Sequence, residues 1–265
     1  MRVNPSPMSK VQRPTSKVQQ HTSVEDVNRH DPDVGRWTLD VGLQVTDLRK
    51  SFLSPSGERV EVLRGVSFSA TRSQALAVVG PSGSGKTTLL NLIGGLERPD
   101  HGNIIVGDFQ IDNATETSLA HFRQTHVGFV FQFHHLLADL SAIENVALPL
   151  AMARVNWHEA EARAAQALEV IALGDRMTHP VRHLSGGEQQ RVAVSRALIT
   201  NPSLVLADEP TGNLDPALAF EISKTLIDYA RKGSATIILA THNEALAQLC
   251  ARILTLADGK LCEET

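Results

Sequence analysis

Residues 80–87 read Gly80-Pro81-Ser82-Gly83-Ser84-Gly85-Lys86-Thr87, and Thr88 follows directly. The pattern G-x-x-x-x-G-K-[ST] is typical of a loop that holds the phosphates of a nucleotide. Its glycines let backbone N–H groups point at the anion where side chains would collide. The ammonium group of Lys86 is placed to reach the β- and γ-phosphates, and the Thr87 hydroxyl to bind Mg²⁺. The loop therefore predicts a nucleotide-binding protein.

The segments on either side of this loop supply the context that the motif requires. Residues 75–79 form a short apolar run, typical of a strand that is buried on both faces. An amphipathic helix is predicted from Thr87 onward, since apolar residues recur on one face at Leu89, Leu92, Ile93 and Leu96. We expect this helix to continue until Pro99-Asp100 and Gly102 end it.

A second candidate site follows another apolar strand. Residues 204–207 are apolar, and Asp208 and Glu209 come directly after them. Ligands of open α/β sheets bind at the carboxyl ends of the strands. Asp208 is therefore expected to hold Mg²⁺, through a water molecule. Glu209 is expected to act as the general base that polarises a water against the γ-phosphate.

The rest of the chain alternates between strand and helix patterns. Short β-rich segments, separated by a turn at 55–57 and by Gly65, are predicted at 43–45, 59–63 and 66–69. A hairpin is predicted around Gly107-Asp108. Helices are predicted at 216–229 and after Asn156, and a further buried strand at 236–240. This alternation predicts an α/β fold with a mostly parallel sheet and helices on both faces.

Composition limits the other classes of protein. The chain has 265 residues, 42% of them hydrophobic, and its 25 basic and 29 acidic side chains give a net charge of −4. No apolar run approaches the roughly 20 residues of a membrane helix, and the acidic balance argues against a nucleic-acid partner. Two cysteines, with no metal-binding spacing, favour a cytoplasmic location. Residues 1–40 are predicted to be a disordered extension, because they are proline-containing with scattered apolar residues.

A third motif lies 23 residues before Asp208. Residues 184–191 read LSGGEQQR, and Ser185-Gly186-Gly187 is expected to open a helix that runs through Leu198. A serine followed by two glycines at a helix N-terminus can bind an anion. The same serine can equally be a simple N-cap. The residues by themselves leave both interpretations open.

From residue 43 onward the sequence resembles the nucleotide-binding subunits of ABC transporters. The LSGGE segment, Ser185 to Glu188 with Leu184, is similar to the signature motif of that family, and further family elements occur in order. The resemblance implies that Phe52 stacks on adenine and that Gln132 contacts Mg²⁺ and the attacking water. It likewise implies that His242 contacts the γ-phosphate and that Asp215 belongs to a loop that communicates across a dimer.

The same resemblance implies a fold and an activity. The expected fold is a P-loop NTPase (RecA-like) parallel-sheet core with an N-terminal antiparallel β subdomain. A helical signature subdomain is expected at about residues 133–195, within one ATP-binding domain over residues 43–265. The expected reaction is ATP hydrolysis with Mg²⁺, held by Thr87, Gln132 and Asp208. Two copies would form a head-to-tail homodimer, with each ATP between residues 80–88 of one copy and Ser185-Gly186-Gly187-Glu188 of the other.

Residues 131–137 and 140–150 are most similar to the ATPases of lipoprotein-releasing systems (LolD type) and of the related macrolide-exporter group. The resemblance implies a separate transmembrane permease and a peripheral location on the cytoplasmic face of the inner membrane, through that partner. A related macrolide or peptide exporter and the cell-division ABC complex stay open as alternatives. Soluble ABC ATPases are disfavoured, because the chain has one cassette and only 53 positions from Gln132 to Ser185. A P-loop GTPase is disfavoured because Asn-Lys-x-Asp is absent.

Overall fold

The computed structural model describes residues 41–212, 214–233 and 235–263. The predicted disordered extension, residues 1–40, lies outside the described residues. The strands are β1 (Val41–Leu53), β2 (Arg59–Thr71), β3 (Ala75–Val79), β4 (His101–Val106), β5 (Phe109–Gln110), β6 (Val127–Val130), β7 (Leu204–Asp208), β8 (Thr236–Ala240), β9 (Arg252–Ala257) and β10 (Lys260–Glu263). The helices are α1 (Lys86–Ile93), α2 (Glu116–His126), α3 (Ala142–Met152), α4 (Trp157–Val170), α5 (Gly186–Leu198), α6 (Pro216–Gly233) and α7 (Glu244–Ala247).

The larger sheet confirms the predicted parallel core. Its order is β10-β9-β3-β8-β7-β6, and the neighbours from β9 to β6 are all parallel, with β10 antiparallel at the edge. The central strands β3, β7 and β8 are almost wholly buried, as expected for strands covered by helices on both faces. The predicted strands at 75–79, 204–207 and 236–240 are confirmed.

The smaller sheet is antiparallel, with the order β2-β1-β4-β5, and it confirms the predicted hairpin of β4 and β5. The prediction that Gly65 separates two strands is wrong, because β2 continues from Arg59 to Thr71. Leu48 pairs with Val66 and Arg49 with Arg64, so Gly65 is the extra residue of a β-bulge. Its φ of 84° is a conformation that glycine adopts without strain.

Helix α1 is shorter than its apolar pattern predicted. It ends at Ile93, and the backbone N–H of Gly94 donates to the Leu90 carbonyl. A side chain at position 94 would collide with the ring of Phe129, and Gly95 has a φ of 63°. The two glycines therefore end the helix well before Pro99, and Leu96 lies outside it with 45% of its surface exposed.

A separate apolar cluster holds the helical region together. Helices α3, α4 and α5 pack around buried side chains that include Val146, Leu168 and Val192. Asn156 caps α4 as predicted, accepting a hydrogen bond from the backbone N–H of His158. Asn145 of α3 is fully buried, and its amide bonds both the N–H and the carbonyl of Leu137, which fixes the loop before α3.

In the part of the chain that the structure describes, none of the helices has the length and apolar content needed to span a membrane.

Candidate functional site

Four neighbouring strands of the parallel sheet end at one edge, and each is followed by predicted site residues. The order of these strands is β3, β8, β7, β6. Residues 80–88 follow β3, and His242 lies just after β8. Strand β7 ends in Asp208 and is followed by Glu209, and Gln132 lies just after β6. Because the carboxyl ends of parallel strands meet at the same edge, the fold gathers the phosphate loop and all of the predicted catalytic and metal-binding residues in one row.

The loop between β3 and α1 requires its glycines. Gly85 has a φ of 104°, and a Cβ there would lie 2.8 Å from the Cγ1 of Val62 in the antiparallel sheet. A Cβ on Gly80 would collide with the carbonyl oxygen of Leu256. Gly83 has a φ of 79° but open space around it. The loop is thus wedged between β9 and the antiparallel sheet, while its tip is free to face a ligand.

Two side chains of this loop, Lys86 and Ser84, carry polar groups that suit an anion. Lys86 is only 8% exposed, and its Nζ donates to the carbonyls of Gly80 at 2.8 Å and Pro81 at 3.1 Å. The Ser84 hydroxyl is buried and has no hydrogen-bond partner among the described residues. A buried hydroxyl without a partner is costly, and a phosphate oxygen at the loop would satisfy it. Pro81, Ser82 and Thr87 are exposed, and Thr88 is half-buried.

Thr87 and Asp208, which the sequence analysis assigned to Mg²⁺, are in direct contact. The Thr87 hydroxyl donates to Oδ2 of Asp208 at 2.7 Å. Burial raises the pKa of the Asp208 carboxyl, and the hydrogen bond from Thr87 opposes that shift. Mg²⁺ prefers a small number of oxygen ligands of this kind together with phosphate oxygens, so this pair fits the ion.

Glu209 is tied to the residues that follow β8. Its φ is 45°, and its backbone N–H donates to the Ala240 carbonyl at 2.9 Å. Its Oε1 lies 2.8 Å from Nδ1 of His242, and its Oε2 accepts a hydrogen bond from the Thr241 hydroxyl at 3.1 Å. Only 11% of the Glu209 side chain is exposed. The predicted base and the predicted γ-phosphate histidine are therefore in direct contact.

Gln132 and Phe52 lie at the two ends of this site. Gln132 is exposed, and its Nε2 lies 3.9 Å from the position that a Cβ on Gly212 would take, beside the turn that holds Glu209. Phe52 lies on β1 in the antiparallel sheet with 39% of its surface exposed, and Lys50 Nζ is 5.1 Å from its ring centroid. An exposed ring offers a flat apolar face on which a base can stack.

Residues 185–188 form the first turn of α5, as predicted. Ser185 is the N-cap, and it exchanges hydrogen bonds with Glu188 in a capping box. Bonds from the backbone and the hydroxyl of Ser185 hold the pKa of the Glu188 carboxyl below its usual range. Ser185 and Gly186 are exposed. Within the described residues, no hydrogen bond or ion pair joins this turn to residues 80–88 of the same chain.

Asp215 stands just before α6 and is exposed. Its Oδ1 accepts hydrogen bonds from the backbone N–H groups of Ala217 and Leu218, both at 3.1 Å. This is the geometry of an N-cap. Leu218 in turn packs against Gly187, where a Cβ would collide with it. The predicted dimer loop and the LSGGE segment are thus neighbours on one surface.

Sequence reasoning missed Thr241. The residue is fully buried, and it bonds both Glu209 and the backbone N–H of Asn243. The only signal in the sequence was its position directly before His242. A threonine that follows an apolar run usually continues the strand, so the sequence pattern does not identify Thr241 as a site residue.

A cavity of about 480 Å³ lies next to the site, between α2, α3, α5 and β6. Its lining includes Gln124, Pro149 and Met152, and the loop after β6 forms one wall. Arg196 fixes this loop, because its guanidinium donates to the carbonyls of His134 and His135, each at 2.7 Å. Beside it Phe133 is 73% exposed and Met152 63% exposed. We call the cavity and these two side chains the α2–α3 groove.

Comparisons with known proteins agree with this geometry. The ABC transporter family model matches residues 63–212. The lipoprotein-releasing system ATP-binding protein LolD of Geobacter metallireducens is 46% identical over 220 residues, which cover 83% of this chain and 97% of that protein. LolD 2 of Caulobacter vibrioides is 44% identical, with 83% and 96% covered.

Solved structures of ATP-binding cassettes are also similar to this chain. A dimeric ATP-binding cassette in a post-hydrolysis state, bound to ADP and Pi, superposes with a TM-score of 0.79 at 33% identity. That match covers 84% of this chain and 98% of the cassette. A second dimeric structure, of a bacterial ABC transporter cassette, has a TM-score of 0.78.

Proposed function

The chain belongs to the ABC transporter family and is an ATP-hydrolysing cassette, and from this we propose that it powers a separate membrane protein that releases lipoproteins from the inner membrane. The observation that carries the proposal is the end-to-end match with lipoprotein-releasing ATPases, over 97% of the Geobacter protein. The α2–α3 groove, whose lining includes Phe131 directly before Gln132, supports a partner that docks beside the nucleotide site.

The described residues support a division of roles in the reaction. We propose that residues 80–88 bind the phosphates, with Lys86 on the β- and γ-phosphates and Phe52 stacked on adenine. Thr87, Asp208 and Gln132 would hold Mg²⁺, which neutralises charge on the phosphate oxygens. Glu209 accepts a proton from the attacking water, and His242 contacts the γ-phosphate. The row of strand ends described above supports this division for the phosphate, metal and catalytic residues, and the exposed ring of Phe52 on β1 supports its role with the base.

We propose a head-to-tail homodimer as the active form. The exposed first turn of α5 presents Ser185, Gly186 and the N–H groups of a helix N-terminus, which favour an anion. Asp215 lies on the same surface. The α5 N-terminus suits a γ-phosphate bound to the other copy, and the solved relatives that resemble this chain are dimers. ATP between the copies would then close the dimer, and hydrolysis would release it.

The same proposal implies a membrane partner. The partner is a separate transmembrane permease, and this chain associates peripherally with the cytoplasmic face of the inner membrane through it. No nucleic-acid partner is proposed, given the net charge of −4. The ATP-binding domain is proposed at 43–265, with its helical subdomain at about 133–195.

Reconstitution tests the transported substrate. The chain is purified together with its membrane partner and placed in liposomes that carry a fluorescent triacylated lipoprotein. We expect ATP-dependent loss of the lipoprotein from the liposomes, and no loss when the chain carries Glu209→Gln. ATP-dependent movement of a macrolide or peptide instead would assign the chain to the exporter group. Turnover without either transport would favour the cell-division complex.

Binding of the membrane partner can be tested separately from transport, at the α2–α3 groove. Met152→Glu places a charge on an apolar rim and should weaken binding to the membrane partner at least about tenfold, since burying an unpaired charge is costly. Basal ATPase activity of the isolated chain should stay unchanged. The measurement is titration of the detergent-solubilised partner by light scattering or fluorescence.

The matched control for Met152→Glu is Val170→Glu, which adds the same charge at a site that is 86% exposed on α4. Equal binding by the wild type and both variants would contradict docking in this groove.

A further inference from the structure

The two carboxylate oxygens of Glu209 have different neighbours. Oε1 lies at hydrogen-bond distance, 2.8 Å, from His242, whose side chain is 69% exposed. Oε2 accepts a hydrogen bond at 3.1 Å from Thr241, which is 0% exposed. A buried side chain packed on all sides has one position, whereas an exposed imidazole is free to turn. The contact with Thr241 is therefore the fixed one of the two.

The direction of the Thr241 hydroxyl is also determined. Its oxygen accepts a hydrogen bond at 3.1 Å from the backbone N–H of Asn243. A hydroxyl has a single hydrogen to donate, and an ionised carboxylate can only accept. The hydrogen of Thr241 consequently points at Oε2 of Glu209, and the pair makes a charge-assisted hydrogen bond, which is stronger than a neutral one.

Thr241 is also fixed to the strand that carries the phosphate loop. Its backbone N–H donates to the carbonyl of Val78, on β3, at 3.1 Å. The backbone N–H of Glu209 donates to Ala240, the residue before Thr241. Thr241 thus connects the Glu209 carboxylate, just after β7, with the strand that leads into residues 80–88.

We propose that Thr241 is a positioning residue for ATP hydrolysis, whose hydroxyl fixes Oε2 of Glu209 so that Oε1 faces the attacking water. This inference rests on the proposed role of Glu209 as the base. In the step itself the water oxygen forms a bond to the γ-phosphorus, and the bond from that phosphorus to the β–γ bridging oxygen breaks. The proton of the water passes to Oε1, and the products are ADP and phosphate.

The test uses Thr241→Val, which keeps the shape of the side chain and removes the hydroxyl. We expect kcat to fall by about tenfold to a hundredfold, the range for losing one hydrogen bond to a charged group. KM for ATP should stay within about twofold, because Thr241 is 0% exposed and presents no surface to a ligand. Thr241→Ser restores the hydroxyl and should return kcat to within about threefold of the wild type.

The matched control lies at the other end of the same strand. Thr236 is also buried, at 1% exposure, and its hydroxyl donates to the carbonyl of Thr71 at 3.1 Å, far from the site. Thr236→Val removes an equivalent buried hydrogen bond from β8, so it reports on strand stability alone. We expect a lower melting temperature for Thr236→Val with kcat unchanged.

Glu209→Gln is measured in parallel to separate the two proposals. If Glu209→Gln keeps wild-type turnover, the base assignment itself is wrong. If Glu209→Gln is inactive while Thr241→Val turns over like the wild type, the positioning role is overturned. Equal losses of kcat in Thr241→Val and Thr236→Val would overturn it as well. If Thr241→Val does not fold, Thr241→Cys, with a weaker donor of similar size, should show the same selective loss of kcat.

Discussion

Glu209→Gln should lower ATP turnover by about a hundredfold to ten-thousandfold, the contribution of a positioned general base. Glutamine keeps the size of the side chain and can still bond Thr241, but its amide cannot take the proton of the attacking water. Binding of ATP should be unchanged, because the phosphate loop and the Thr87–Asp208 pair are intact. Turnover is measured as phosphate release from the purified chain, and ATP binding is measured by fluorescence.

The same variant should reveal the dimer. If ATP lies between two copies and is not hydrolysed, the closed state accumulates. Size-exclusion chromatography with light scattering should then show a dimer for Glu209→Gln in ATP and a smaller species without it. Glu221→Gln, on the exposed side of α6, is the control and should behave like the wild type. Undiminished turnover by Glu209→Gln would show that another group is the base.

Lys86→Ala should reduce turnover to background and weaken ATP binding by about a hundredfold or more, since several charge-assisted hydrogen bonds to phosphate are lost. The wild-type ammonium is buried and held by the carbonyls of Gly80 and Pro81, so it is already placed at the phosphate loop. Isothermal titration with ATP and a phosphate-release assay measure both effects. Lys224→Ala, exposed on α6, removes the same charge away from the loop and should change neither quantity.

A mixing experiment with Lys86→Ala tests whether the site is shared between two copies. Ser185→Arg should also be inactive, because it blocks the first turn of α5. In a mixed head-to-tail dimer both defects fall in one composite site, and the other site is intact. An equal mixture should therefore recover up to about a quarter of wild-type turnover, since about half of the dimers are mixed and each has one working site of two. A mixture as inactive as its components would mean that residues 185–188 do not act on the partner's nucleotide.

The local parts of the site could be predicted from the sequence, because each follows from a short pattern. Glycines and a lysine in the order found at residues 80–87 are typical of phosphate binding. Asp208 and Glu209 follow an apolar run, which puts both carboxylates at the carboxyl end of a predicted strand. The start of a helix at Ser185-Gly186-Gly187 also followed from the neighbouring residues alone. Such features depend on contacts within about ten residues along the chain, which a sequence pattern records.

The arrangement of these parts could not be predicted in the same way. That β8 lies between β3 and β7, which brings His242 and Thr241 against Glu209, depends on pairing between distant segments. The predictions that Gly65 separates two strands and that the first helix continues to Pro99 were wrong for a related reason. Gly65 occupies a bulge inside β2, and Gly94 ends α1 where it contacts Phe129. Both roles depend on residues that are distant in the sequence or on the paired strand, and the local pattern does not identify them.

The hydrogen bonds among the site residues have a consequence for ligand discrimination. Lys86 is engaged by two carbonyls, Asp208 by Thr87, and Glu209 by Thr241 and His242. A ligand must replace these bonds, and the replacement lowers its apparent affinity. ATP compensates for the loss of these bonds with the contacts of its base and three phosphates, whereas inorganic phosphate makes only a few contacts. We therefore expect the site to select ATP over abundant small anions.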